Sequence, residues 1–147
     1  MGTVRVSFQS SGKIVTCDIV GSQDVATLIR WNTDGRIDTT FGNAGTGIQT
    51  YFNNPPFVNG EYTPYRMTIQ ADDKILIMGS QQNPTYTNAY SVARLLPNGG
   101  LDTSFNGTGY LDLSFGTAQD RGRCIAMQND GKILMGVPRG VQRNILR

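Results

Sequence analysis

The chain has 147 residues, of which 38% are hydrophobic, and its formal net charge is +2. This length suits one domain, and the ordinary apolar fraction argues against disorder. The small net charge does not indicate a nucleic-acid partner, and no apolar run is long enough for a membrane-spanning helix. The 18 glycines favour turns and strands over helices.

The first segment of the chain, VRVSFQ (4–9), alternates apolar and polar residues, with Val4, Val6 and Phe8 on one side. Such alternation is typical of a β-strand. The next segment, SSGKIVTCDIV (10–20), begins with a hairpin-turn sequence and continues as a mostly apolar, β-branched run. That run predicts a second strand, buried on both faces.

Two more strands are predicted, at VATLIRW (25–31) and at IQTYF (48–52). The segment between them, NTDGRIDTTFGNAGTG (32–47), is called the corner here. Asp38 is expected to cap one helical turn by accepting backbone N–H groups two or three residues on. Phe41 is then expected to insert into the core.

Arg30 ends the third strand between apolar neighbours. We expect it to hydrogen-bond within its own repeat, with Asp38 as a candidate partner. The start of the corner, Asn32-x-Asp34-Gly35, also resembles part of a calcium loop. The further carboxylates and the late Glu of such a loop are lacking, so a structural turn is the favoured interpretation and no metal site is predicted.

The whole pattern repeats about every sixty residues. The three lysines of the protein, Lys13, Lys74 and Lys132, share one position of the repeat. We assign one repeat domain, 1–147, in which the first repeat is 1–61, the second is 62–121, and a partial third is 122–147. Each full repeat is predicted to be a four-stranded antiparallel meander, so the fold class is all-β.

The second repeat has its own corner, LPNGGLDTSFNGTG (96–109). Its Asp102 and Phe105 match Asp38 and Phe41, and Arg94 matches Arg30. The same structural roles are therefore expected for these three residues.

Two segments, 51–65 and 81–90, do not repeat each other and are rich in Tyr, Asn, Gln and Pro. Aromatic and amide side chains on loops over a sheet suit recognition of glycans or protein surfaces. The alternative is that the aromatic residues seal gaps between repeats. The candidate ligand-binding residues are Tyr86, which is the first choice, with Asn83, Asn88, Tyr62 and Phe57.

Catalytic chemistry is not indicated by the sequence. The chain has no His, which excludes Ser-His-Asp and Cys-His arrangements, and its two cysteines, Cys17 and Cys124, lack metal-ligand spacing. We therefore predict a protein that is not an enzyme and has no cofactor. The alternatives are an enzyme that acts on a polysaccharide through Asp residues and a purely structural spacer.

Two motifs resemble those of the delta-60 repeat family. They are NDGKIL (Asn129–Leu134) and ARLLPNGGLDTSF (Ala93–Phe105), the second of which is followed by Gly107 and Gly109. The resemblance covers nearly the whole chain. It implies β-propeller-type repeats of about two and a half four-stranded blades, in bacterial surface or secreted proteins and phage fibres, without established enzymatic activity. The chain departs from the pattern at Asp73, where Gly is usual.

The resemblance implies an adhesion or fibre-tip module that binds a glycan or a cell-surface protein, and an extracellular, cell-surface or virion location. The N-terminal residues lack the apolar core of a signal peptide. A ring of blades usually needs four to eight of them, so further copies of the chain or a longer parent chain are expected as partners. No nucleic acid is expected.

Overall fold

In the computed structural model the described residues are 4–20, 25–42, 45–51, 63–82, 88–113 and 124–136. They form three antiparallel sheets and contain no α-helix. The first sheet has the strands β1 (Arg5–Phe8), β2 (Ile14–Val20), β3 (Val25–Trp31) and β4 (Ile48–Tyr51). The second has β5 (Thr63–Ile69), β6 (Ile75–Gln82), β7 (Asn88–Leu95) and β8 (Tyr110–Leu113), and the third has β9 (Cys124–Met127) and β10 (Ile133–Gly136).

Each four-stranded sheet is a meander, with the orders β1-β2-β3-β4 and β5-β6-β7-β8. The predicted all-β fold and its meander topology are confirmed. Gly12, Asp73 and Gly131 occupy the same position of the three hairpin turns, and all have positive φ, at 79°, 63° and 81°. Glycine tolerates this region best and Asp is one of the few other residues that enter it, which explains how Asp73 replaces Gly.

The sheets pack face to face through two apolar clusters. We call the face of a sheet that meets the following sheet its front and the other face its back. The first cluster joins the front of the first sheet to the back of the second: Val15, Cys17, Ala26, Leu28, Phe41 and Tyr51 meet Ile75, Ile77, Ala93 and Leu95. The second joins the front of the second sheet to the back of the third: Leu76, Met78, Val92 and Phe105 meet Ile133 and Met135.

Burial of the second strand differs between repeats. In β6, Ile75, Leu76, Ile77 and Met78 are all 0% exposed, as predicted for a strand buried on both faces. Among the β2 side chains whose burial is described, 14–18, only the front residues Val15 and Cys17 are buried, so the prediction is wrong for the back of this stretch. The physical reason is packing, because among the described strands the second sheet lies between two neighbours, whereas the first sheet has a neighbour on its front only.

The first strand also departs from expectation. Its alternation does produce a strand, but Val4, Val6 and Phe8 are 51%, 54% and 67% exposed, while polar Gln9 is buried. The apolar residues therefore face away from the core that the described residues build.

The two corners are stacked on each other. Arg30 Nη1 donates to the Pro97 carbonyl at 2.7 Å, and the Tyr51 hydroxyl donates to the Gly99 carbonyl at 2.6 Å. Gly99 has a φ of 92°, and a Cβ placed there would lie 2.8 Å from Phe41 Cζ. Glycine is thus required at this position both for its backbone angle and for the approach of the Phe41 ring.

We expect Gly99→Ala to lower the free energy of unfolding by about 3 kcal/mol, because it adds overlap with Phe41 to the cost of a positive φ. Gly35→Ala is the matched control, since Gly35 has a φ of 81° and no atom within 4 Å of the added Cβ. The control should lose only about 1 kcal/mol. Equal losses in urea unfolding would contradict the stacking of the corners.

Candidate functional site

The corner of the first sheet is held by a buried carboxylate. Asp38 Oδ2 accepts from Arg30 Nε at 2.7 Å and from Lys13 Nζ at 2.6 Å. Asp38 Oδ1 accepts from the Thr40 backbone N–H at 3.0 Å and from its hydroxyl at 2.7 Å. The Arg30 guanidinium carbon also lies 4.9 Å from the centre of the Phe41 ring. Arg30, Lys13 and Thr40 therefore converge on one carboxylate, and Arg30 links it to the Phe41 ring.

The second corner repeats this arrangement residue by residue. Arg94 Nε donates to Asp102 Oδ2 at 2.7 Å, and Lys74 Nζ lies 3.3 Å from the same oxygen. The Ser104 backbone N–H and hydroxyl donate to Asp102 Oδ1 at 3.1 Å and 2.6 Å. Arg94 lies 4.7 Å above the Phe105 ring.

These contacts refine the sequence expectations for the corner. Phe41 and Phe105 are 0% and 3% exposed, so both insert into the core as expected. As expected, Asp38 and Asp102 each accept from the backbone N–H two residues on. The Phe41 and Phe105 N–H groups donate to the Asp38 and Asp102 carbonyls at 3.1 Å and 3.0 Å, so each segment is one hydrogen-bonded turn that does not continue as a helix.

The sequence analysis missed the partners of the lysines, because it established only that the three lysines share one position of the repeat. Lys13 and Lys74 sit on β1–β2 and β5–β6 turns, and meander folding brings these turns beside the corners. Lys132 pairs with Asp130 of its own turn. The shared repeat position of the lysines and of the corner aspartates was the only sequence signal for the pairing.

The electrostatics of the corner suit structure better than catalysis. Burial by itself would raise the pKa of Asp38, but hydrogen bonds from Lys13 and Thr40 and the charge of Arg30 hold it well below its usual range. The same balance of burial against Ser104, Arg94 and Lys74 lowers the pKa of Asp102 to about 2. Both carboxylates stay ionised at neutral pH and their oxygens are already engaged, so neither is suited to proton transfer.

Other candidate chemistry is also limited in the part of the chain that is described. Cys17 and Cys124 are free thiols, and burial raises the pKa of Cys17 to about 12, which makes it a poor nucleophile. In the calcium-like segment, Asp34 accepts from the Arg36 backbone N–H and pairs with the Arg36 side chain. Within the described ranges no group of three His, Cys, Asp or Glu residues is placed to hold a metal ion.

The described strands and turns include no helix of the length and apolarity that crossing a bilayer requires.

The hairpin turns of the first two sheets are joined by a polar contact. The Ser10 backbone N–H and hydroxyl each donate to the Asp73 carboxylate at 2.6 Å. Gln9 Nε2 reaches across the same junction to the Asp73 and Pro97 carbonyls at 3.2 Å and 3.1 Å. This contact explains a positive-φ Asp at a position where the other two turns have glycine.

At the next junction, both members of that polar pair are replaced. Ala71 stands at the position of Ser10 and Gly131 at that of Asp73, and a groove of about 610 Å³ lies there. Its polar lining includes Gln70, Asp72 and Gln128. Gln70 Oε1 is buried and has no hydrogen-bond partner, whereas its counterpart Gln9 Oε1 accepts from Arg30 at 3.3 Å. Among the described residues, the second and third sheets are therefore joined by fewer polar contacts at this junction than the first and second.

The predicted ligand-binding residues fall largely outside the described residues. Four of them, Tyr86, Asn83, Tyr62 and Phe57, lie outside the described residues. The fifth, Asn88, is the first residue of β7 and pairs with Gln82. The structure does describe the strand ends that flank these segments. By meander topology these ends lie at one end of the sheets, opposite the hairpin turns and corners. We call it the link end, bounded by Val20, Val25, Tyr51, Thr63, Gln82, Asn88, Leu113 and Cys124.

Acid should weaken the corner in a defined direction. Because the folded pKa of Asp102, about 2, is below the ordinary 3.8, its contribution to stability is full above about pH 4. That contribution is lost as the pH falls through about 2. Asp102→Asn should cost about 2 kcal/mol at pH 7, and the gap between variant and parent should close towards pH 2. Exposed Asp34→Asn is the control, and a gap independent of pH would refute the ionised buried pair.

Restoring the polar pair at the second junction should stabilise the third sheet. A Cβ at Gly131 meets no atom within 4 Å, and Asp73 shows that Asp accepts this turn geometry. The double change Ala71→Ser with Gly131→Asp should slow hydrogen exchange in β9 and β10 about tenfold, through charge-assisted hydrogen bonds. The reverse change, Ser10→Ala with Asp73→Gly, should speed exchange at the first junction. Unchanged exchange in both would show that the pair does not join the sheets.

Comparison with known proteins gives one partial match. A family profile described as "Domain of unknown function (DUF5122) beta-propeller" matches residues 70–105, which run from the second hairpin turn through β6 and β7 to Phe105 of the corner. Searches of curated proteins and of solved structures gave no match. The matched stretch and the three stacked antiparallel sheets agree: the protein is all-β and is built of β-propeller-type repeats.

Proposed function

We propose that the protein is a non-enzymatic recognition module that binds a glycan at the link end of its sheets. One observation carries the proposal. The charged residues that repeat are engaged in holding the corners, whereas the segments that differ between repeats all leave from the link end. A constant sheet framework with variable connections at one end is the usual design of a binding protein.

The composition of those segments favours a glycan as the ligand. Of the segments at the link end, 52–62 and 83–87 contain Tyr, Phe, Asn and Pro and a single charged residue, Glu61. Aromatic faces stack on the apolar faces of sugar rings, and amides both donate to and accept from hydroxyl groups. Tyr86 and Asn83 are proposed as the main contacts, with Asn88, Tyr62 and Phe57 around them.

The finer assignments belong to the same proposal. We infer membership of the delta-60 repeat family, supported by the motifs quoted above and by the β-propeller match. That membership suits an adhesion or fibre-tip role at a cell surface or on a virion. No cofactor is required, since glycan binding of this kind needs only side-chain contacts.

A glycan array followed by calorimetry with the bound glycan would test the proposal. Tyr86→Ala and Asn83→Ala should each weaken binding about tenfold, because each removes a stacking or hydrogen-bonding contact. Arg36→Ala is the control at the opposite end, where the side chain is 86% exposed, and it should leave binding unchanged. Binding to proteins but to no glycan would contradict the choice of ligand. Release of cleaved product, abolished by one Asp→Asn change, would show an enzyme instead.

A further inference from the structure

The back of the first sheet is an exposed apolar face. At the β1 edge it carries Val4, Val6 and Phe8, which are 51%, 54% and 67% exposed. In the corner it carries Ile37, which is 39% exposed and is bridged to Trp31 at the end of β3. Half-buried Trp31 also belongs to this face, since its counterpart Leu95 lies on the back of the second sheet. Soluble proteins rarely leave such a cluster uncovered unless it binds something.

The same positions are covered in the other two sheets. Met67 and Ile69 of β5 correspond to Val6 and Phe8, and they pack against the first cluster. Ile125 and Met127 of β9 correspond to them again, and they pack against the second cluster. Accordingly β5 lies against β1 and β2, and β9 lies against β5. The back of a sheet in this protein is therefore built to meet the front of another sheet.

A front of the matching kind is available on the third sheet. Leu134 of β10 occupies the position of Val15 and Leu76, the front residues of the two earlier sheets, and is half-buried rather than buried. Ala126 of β9 lies on the same face and is exposed, with no charge that would oppose an apolar partner.

We propose that the back of the first sheet binds the front of the third sheet of a second copy of this chain. The contact would repeat the packing of β5 on β1 and of β9 on β5. It is heterologous, because one patch meets a different patch, so copies add head to tail and form a ring or an open chain.

This arrangement has a consequence for recognition. Each added copy would continue the same sheet-on-sheet stacking, so the link ends of all copies would point to one side. Several weak sites on one side bind a multivalent surface much more tightly than a single site. The association itself does not depend on the proposed glycan site and is measured without any ligand.

Two single variants separate the two patches. Val6→Asp places a charge on the back of the first sheet, and Ala126→Asp places one on the front of the third. Light scattering over about a hundredfold range of concentration should show parent masses at multiples of 16.0 kDa. Each variant alone should remain at 16.0 kDa, and circular dichroism should show that both are folded. Leu96→Asp, which alters a 36% exposed apolar residue outside the face, should associate like the parent.

Mixing the two variants is the decisive step. Val6→Asp keeps an intact front and Ala126→Asp keeps an intact back, so an equimolar mixture should form one junction and a species of twice 16.0 kDa. A parent that stays at 16.0 kDa throughout would overturn the proposal. So would an Ala126→Asp variant that still associates alone, since back-to-back pairing would then be the contact. Phe8→Ser gives a second test of the same face if Val6→Asp does not fold.

Discussion

The structure depends on a buried ion pair that recurs at the same place in each full repeat. Arg30 on Asp38 and Arg94 on Asp102 join the end of a strand to the corner that follows it. An unpaired charge buried at this depth would be strongly destabilising, so the arginine, the aspartate and the neighbouring lysine are required together. Because the arginine also covers a Phe ring, the charged cluster and the apolar core are fixed by one side chain.

From this constraint follows the way the sheets stack. The remaining Nη1 group of Arg30 binds the Pro97 carbonyl of the next corner, so the cluster that closes one sheet also positions its neighbour. The junction between the second and third sheets differs from this arrangement. There Gln70 Oε1 is buried without a partner, and a groove lies where Ser10 and Asp73 meet in the junction before it. The Arg94–Asp102 pair is thus complete within the second sheet although the contacts between the second and third sheets differ from those between the first and second.

Most of the framework could be predicted because it rests on local pattern. Period-two alternation and β-branched apolar runs located the strands, and turn residues located the hairpins. The repeat matched Arg94, Asp102 and Phe105 to their counterparts, although no sequence rule shows that Lys13 reaches Asp38 across 25 residues. The candidate ligand residues Tyr86, Asn83, Tyr62 and Phe57 stay predictions, since they lie outside the described residues. Composition suggested their role, but composition carries no geometry.

The sequence by itself determined the strands, the turns with positive φ, and the fact that the same unit recurs about every sixty residues. These follow from backbone preferences and from side-chain periodicity, which act over a few residues. Only the tertiary structure decided which apolar faces are covered. Val6 and Met67 have the same alternation in the sequence, yet Val6 is exposed while Met67 packs against the first cluster. Whether a face is buried depends on whether another sheet covers it, and the residue pattern of a strand does not specify that covering sheet.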